Sequence, residues 1–144
     1  THEYLRYGHT WRKLTNNLKL VQDMKIKNLV LKINHVVQAP SYHSIIDMTH
    51  FFDSLGVEIH PIMLSSPKHF HISAITEHSK EKFLADTEDY VGMNKEFINF
   101  VRNATRENIK QDKMLTADCI KHLEKFDMVR KNSYKDIIPI ENLS

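Results

Sequence analysis

A strand–helix–strand pattern over residues 29–64 constrains the fold of this chain more than any other feature. Residues 29–37 read Leu-Val-Leu-Lys-Ile-Asn-His-Val-Val, and this apolar, β-branched run predicts a strand buried over most of both faces. Residues 57–64 predict a second strand, in which Pro61 must lie at a strand end, an edge or a bulge because it has no N–H to donate. The order predicts a parallel pair with a right-handed crossover.

The predicted helix between the two strands has recognisable ends. It is expected to begin at Ser41 or Tyr42, after which apolar residues recur at helical spacing. Gly56 follows the last of them, at a position where glycine commonly ends a helix. The apolar positions of this helix are Ile45, Met48, Phe52 and Leu55.

Further helices are predicted on both sides of this unit. The chain has three Gly and four Pro among 144 residues, so we expect long elements and few turns. Apolar spacing predicts a first helix over residues 11–24 and only helices after Pro67, the first of them capped by Ser79. Residues 127–144 predict an irregular tail. The predicted apolar faces are Phe83, Leu84, Tyr90 and Val91, then Phe97, Ile98 and Val101, and then residues 115–126.

The sequence therefore predicts a helix-rich α/β chain packed as one domain. Residues 1–76 would contain helix, strand, helix and strand, and residues 77–144 a helical region with its tail. Because two parallel strands need neighbours for their edges and faces, we expect further strands from a partner subunit or from a preceding part of the same protein. A first residue Thr1 in place of Met fits that expectation of a longer protein.

Composition excludes several classes of function. Twenty Lys and Arg against eighteen Asp and Glu leave a net charge of +2, too weak to indicate nucleic acid or an anionic membrane as a partner. No apolar run approaches the roughly 18 residues of a membrane helix, and no signal pattern opens the chain. The single cysteine, Cys119, is typical of a reducing compartment, so a cytoplasmic location is predicted. Phosphate-binding loops, nucleophile elbows and His-Glu-x-x-His motifs are missing.

Four segments have a familiar order of residues. They are Glu-Tyr-Leu-Arg-Tyr-Gly at 3–8 followed by Trp11, Ile-Asn-His-Val-Val-Gln at 33–38, Phe-Phe-Asp-Ser-Leu-Gly-Val at 51–57, and residues 124–139. In this order they resemble the second half of a radical S-adenosylmethionine domain of the group with a twitch-type C-terminal extension. The resemblance implies that the chain is the C-terminal portion of such an enzyme and forms barrel wall and substrate-side surface.

The resemblance implies a place in the fold and two cofactor-binding residues. The chain would supply the later strands and helices of a six-stranded partial (β/α) barrel, whose ligands bind at the carboxyl ends of the strands. Asn34 and Gln38 match positions that face the cofactor side of that barrel, so they are implied to contact S-adenosylmethionine. The alternative is structural, with Asn34 satisfying a neighbouring backbone group and Gln38 capping the loop.

The family's cluster-binding motif is missing. The family holds a four-iron cluster through a Cys-x-x-x-Cys-x-x-Cys loop, and thiolates are required for this, whereas Cys119 is alone in a predicted late helix. The cluster and S-adenosylmethionine are therefore implied only for a complete parent protein, and no catalytic residue is expected in this chain. His122 follows Cys119 by three residues and could lower the pKa of its thiol, but the sequence shows no third group to orient the pair. A buried, inert thiol is therefore predicted.

Two other functions remain open on the sequence. The first is a small α/β interaction module that self-associates or pairs with a partner through an open sheet edge. The second is a metal binder, because the chain has ten histidines. His43, Asp47 and His50 share one helical face, and His69 and His71 alternate in an extended segment. A solvated polar face is the preferred interpretation of the first set, and no metal site is predicted.

Overall fold

The computed structural model describes residues 10–144, and it confirms a helix-rich α/β fold. Five α-helices and two strands alternate and then give way to helices alone within the described part of the chain. Short 3₁₀ turns join several of them. In order, the elements are α1 (Trp11–Asp23), β1 (Lys32–Val37), α2 (Ile45–Ser54), β2 (Glu58–Met63), α3 (Glu77–Asp86), α4 (Lys95–Glu107) and α5 (Lys113–Arg130).

The two strands are parallel and paired in register, as the strand–helix–strand pattern predicts. Lys32 lies opposite Glu58 at one end of the ladder. Glu58 donates its N–H to the Leu31 carbonyl at 3.0 Å and Leu64 donates to Val37 at 3.3 Å. Since N–H groups alternate along a strand, the nitrogen of Pro61 points away from β1. Of the three positions predicted for Pro61, a strand end, an edge or a bulge, the structure shows an edge.

β1 is shorter and more exposed than predicted. Residues 29–31 lie before the strand, and Leu29 and Val30 are 45% and 58% exposed. Lys32 and Asn34 are also exposed, and only Val37 is fully buried. The expectation that residues 29–37 are buried on most of both faces is therefore wrong for residues 29–34. Apolar composition indicates a strand, but it does not show which elements pack against the two faces.

The helix ends show which local signals were sufficient. Gly56 has a φ of +65° just after α2, which confirms its predicted role. The helix itself begins later than predicted, because residues Ala39–Ser44 form a 3₁₀ turn with Pro40 in its first positions. α3 is capped by Thr76, whose hydroxyl accepts the N–H of Ser79 at 3.3 Å. The prediction of Ser79 as the cap is therefore wrong by three residues.

One hydrophobic core draws on both halves of the chain. α4 buries Phe97, Ile98 and Val101 almost completely, as its spacing predicts. The predicted place of Tyr90 and Val91 on a helix face is wrong, because both lie between α3 and α4. Val91 is 93% exposed. Other buried members of the core are Val37, Ile45, Phe52, Val57, Ile59, Ile72, Ile75, Phe83, Leu123 and Ile138.

The C-terminal tail is irregular, as predicted, but it is docked onto the body. α5 continues to Arg130, and two short 3₁₀ turns follow, Tyr134–Asp136 and Ile140–Asn142. Thr76 donates its hydroxyl to the Glu141 carbonyl at 2.6 Å, and its N–H to the Asn142 carbonyl at 3.0 Å. The tail thereby packs against the start of α3.

The outer edge of β2 is covered by a side chain. Asn94, just before α4, accepts the N–H of Ile59 at 2.6 Å and donates to the Val57 carbonyl at 3.0 Å, as a neighbouring strand would. Asp53 accepts from the Asn94 amide at 2.7 Å and also from the hydroxyl of Tyr90. At this position the Asn94 side chain thus pairs with the backbone groups that a neighbouring strand would otherwise meet.

Of the helices in the described part of the chain, none combines the length and the apolar composition that crossing a membrane requires.

Candidate binding cleft

A cleft of about 880 Å³ lies beside the sheet. Its size is within the range of small-molecule sites, which are mostly apolar with a few polar groups. The apolar part of its lining consists of Trp11, Leu14, Ile33, Val36, Met48, Phe51, Phe52, Leu64, Phe70 and Phe126. The polar part consists of Asn34, His35, Gln38, Ser41, Ser44 and Asp47.

The cleft reaches around the outer edge of β1 and past the carboxyl ends of the strands. Residues 33–36 are consecutive in β1 and all line it, although successive side chains of a strand point to opposite faces. A single cleft meets both faces only at the edge that β2 does not occupy. Gln38 and Leu64, which follow β1 and β2, extend it toward the strand ends, where open parallel sheets bind ligands.

The two residues implied by the resemblance both line this cleft. Gln38 precedes the turn Ala39–Ser44, but its side chain makes no capping hydrogen bond to that turn. Its backbone carbonyl accepts the N–H of Ser41 at 3.3 Å instead. Asn34 is exposed on β1, so a ligand can reach its side chain. Both amides are therefore available to donate and accept bonds with a ligand.

Aromatic rings form two walls of the cleft. On one side, the ring centroid of Trp11 lies 5.2 Å from that of Phe51 and 5.8 Å from that of Phe52. On the other side, Phe70 lies 5.9 Å from Phe126. Flat rings of this kind bind planar or cationic groups through their faces. The walls are therefore suited to a ligand that contains a ring.

Few charged groups lie at the cleft. Asp47 is the carboxylate among its described lining residues, and no Lys or Arg is among them. His43 lies in the turn between β1 and α2, where burial lowers the pKa of its imidazole despite the opposing effect of Asp47. The electrostatic balance favours a neutral or cationic ligand over an anion.

The histidine-rich patterns of the sequence are dispersed by the fold. In residues 10–144, no group of three or more His, Cys, Asp or Glu side chains is placed to hold a metal. Asp47 lines the cleft, while His50 packs on Tyr90 with ring centroids 5.7 Å apart. The His71 ring nitrogen Nδ1 lies 2.8 Å from the Ser73 hydroxyl, whereas the His69 ring packs on His122.

Sequence reasoning missed two features that distant residues create. His69 stacks on His122 with ring centroids 3.6 Å apart. Lys80 is fully buried, and its ammonium donates to the carbonyls of Asn108 at 2.6 Å and Lys110 at 3.1 Å, while burial lowers its pKa to about 8. Lys80 precedes Phe83 by three residues and Leu84 by four, so helical spacing places it on the same face as these predicted apolar residues. Its charge gave no reason to expect burial, because lysine is almost never fully buried.

Cys119 is buried, as predicted, and burial raises the pKa of its thiol to about 12. A single thiol of this kind does not fit the ligand set of a four-iron cluster. The amides and aromatic rings of the cleft, in contrast, fit an adenosine-like group.

Comparisons with known proteins identify no relative: no family model, no curated protein and no solved structure matches this chain.

Proposed function

We propose that this chain is the C-terminal portion of a radical S-adenosylmethionine enzyme, in which it forms barrel wall and substrate-side surface. The observation that carries the proposal is the cleft that Asn34 and Gln38 line at the outer edge of β1. In a (β/α) barrel a further strand would pair with that edge, and the ligand would bind where the cleft passes the carboxyl ends of the strands. The missing strands would come from the N-terminal half of the same protein.

The chemistry of the lining supports this ligand class. Side-chain amides such as Asn34 and Gln38 can pair with the edge of an adenine ring or with ribose hydroxyls. The rings of Trp11 and Phe51 can stack on adenine, and Asp47 would favour the cationic sulfonium and ammonium groups. When cleaved reductively, S-adenosylmethionine supplies a 5′-deoxyadenosyl radical. This chain would orient ligands and exclude water, since the cluster ligands have to come from other residues.

The reading frame before Thr1 provides the first test. A Cys-x-x-x-Cys-x-x-Cys segment encoded upstream in the same frame is the expected result. A start codon directly before Thr1 would remove the proposal.

Ligand binding provides the second test. S-adenosylhomocysteine, titrated into the full-length protein by calorimetry, should bind about tenfold more weakly to Asn34→Ala or Gln38→Ala, because each change removes one or two hydrogen bonds. Asn99→Ala, at an exposed position of α4, is the matched control and should bind like the unmodified protein. Equal affinities of all four proteins would contradict the assignment of Asn34 and Gln38.

A second candidate function is self-association, and a specific apolar patch favours it. Five large apolar side chains from the last turn of α1 to the residue before Leu31 are exposed. Clusters of exposed apolar side chains often mark interaction surfaces. They precede the strand whose outer edge lies at the cleft, where strand addition is possible. The patch consists of Leu20, Met24, Ile26, Leu29 and Val30.

Light scattering over a range of protein concentrations tests this candidate. If the patch mediates a dimer, Val30→Lys should shift the protein to the monomer. Val91→Lys is the control, because Val91 is an exposed apolar residue distant in sequence from the patch. A monomer at every concentration, or equal effects of the two changes, would contradict self-association through the patch.

A further inference from the structure

Two histidines from distant parts of the chain form a stack next to the cleft. His69 lies in the 3₁₀ turn Lys68–Phe70, and His122 lies on α5. Their rings are 3.6 Å apart between centroids and inclined by only 10°. Both residues are half-buried, so protons from the solvent can reach them while the rings remain in contact.

The hydrogen bond of His122 identifies the nitrogen that carries the proton in the neutral ring. Its Nδ1 lies 2.8 Å from the backbone carbonyl oxygen of Asp118. A carbonyl oxygen can only accept, so Nδ1 must carry the proton of the neutral ring. The lone pair of the neutral ring is therefore on Nε2, which takes no part in the bond to Asp118.

The surroundings of the stack oppose a second proton. The groups that face His69 are His122, Asp118 and Lys125, all on α5. Burial lowers the pKa of His69, and His122 and Lys125 lower it further, whereas Asp118 raises it. Two imidazolium rings in stacking contact repel each other, and the single carboxylate of Asp118 cannot neutralise both.

The stack is connected directly to the wall of the cleft. The ring of His69 meets that of the adjacent Phe70 edge-on at 4.5 Å. Phe70 is buried and lies 5.9 Å from Phe126, and both line the cleft. The guanidinium of Arg130 lies over the ring of Phe126, 4.1 Å from its centroid. A displacement of His69 would therefore move a lining residue.

We propose that protonation of the stacked pair His69 and His122 changes the position of the cleft wall. With at most one proton on the pair, the rings remain in contact and hold Phe70 against Phe126. When both rings are protonated, they separate, Phe70 is released, and the cleft widens. This device depends only on the wall residues, so it does not require the proposed cofactor.

Trp11, the only tryptophan of the chain, lines the same cleft and provides a probe. Its quenching by acrylamide should increase in a transition below the ordinary histidine pKa of about 6.5. His122→Phe keeps a stacking ring that cannot be protonated, so the transition should be lost. His78→Gln, an exposed histidine of α3, should retain it. His35→Gln should also retain it, although His35 lines the cleft.

Three results would overturn the proposal. The first is a His122→Phe protein that keeps the wild-type transition, and the second is loss of the transition in His35→Gln. The third comes from the unmodified protein by NMR of the histidine ring protons: His69 and His122 titrating independently, each with an ordinary pKa, would exclude a coupled stack. If His122→Phe does not fold by circular dichroism, His69→Phe and this NMR titration decide the question.

Discussion

Asn94 is the residue whose replacement best tests how β2 is stabilised at its outer edge. Its side chain is nearly fully buried and takes the place of a third strand by pairing with both Ile59 and Val57. It makes no capping hydrogen bond to α4. Asn94→Ala therefore removes the strand contacts without removing a helix cap, and the change reports on the sheet edge.

The expected cost follows from the groups that would lose their partners. The N–H of Ile59 and the carbonyl of Val57 are buried and would be left without partners, and each such group costs about 1–3 kcal/mol. Asp53 would lose the donor that lies 2.7 Å from its carboxylate. Since water can reach part of this edge through the opening left by the shorter side chain, we expect a total loss of roughly 2–4 kcal/mol.

Urea denaturation followed by circular dichroism measures this loss. Asn99→Ala is the matched control, because Asn99 is an exposed asparagine of the same helix and should change the free energy of unfolding by less than about 0.5 kcal/mol. If Asn94→Ala falls within about 0.5 kcal/mol of that control, the reasoning that Asn94 substitutes for a strand is refuted.

Three further predictions concern buried polar groups. Between pH 8 and 10.5 the unfolded chain holds a proton on Lys80 that the folded chain has released. The free energy of unfolding should therefore rise with pH across this window, and Lys80→Met should reduce that rise. Equal pH dependences of the two proteins in urea titrations would contradict this prediction. The Tyr42 hydroxyl lies 2.8 Å from that of Thr105 in the core. Tyr42→Phe should therefore lower the free energy of unfolding by about 1–2 kcal/mol, and the double variant with Thr105→Val should lose less than the sum of the two single variants. Additive losses would show that this hydrogen bond does not stabilise the fold. Burial raises the pKa of Cys119 to about 12, so a thiol reagent should react slowly at pH 8 until denaturant is added; rapid reaction of the folded protein would contradict its burial.

Patterns with a short period in the sequence were sufficient to predict most of the elements. The apolar spacing of Phe97, Ile98 and Val101 predicted the buried face of α4, because these side chains share one helical face whatever packs against it. Gly56 predicted the end of α2, because glycine readily adopts a positive φ. Pro61 predicted a position where no backbone N–H is needed, because proline has none. The predicted ends of elements were the least accurate. The start of α3, for example, is capped by Thr76 and not by Ser79.

The lining of the cleft was predicted only in part. Asn34 and Gln38 were implied only by the resemblance to a known family. The structure places them with Trp11 and Phe126 in the lining of one cleft. Nothing in the sequence pairs Phe126, on the last helix, with a strand near the beginning of the chain.

The sequence by itself determined the order of helices and strands, the parallel pair and the predicted role of Gly56. Only the tertiary structure decided that Asn94 pairs with β2, that Lys80 is buried, and that His69 stacks on His122. The physical reason is that periodicity reports which side of an element is apolar. Contacts between distant residues depend instead on how whole elements pack, and no single segment encodes them.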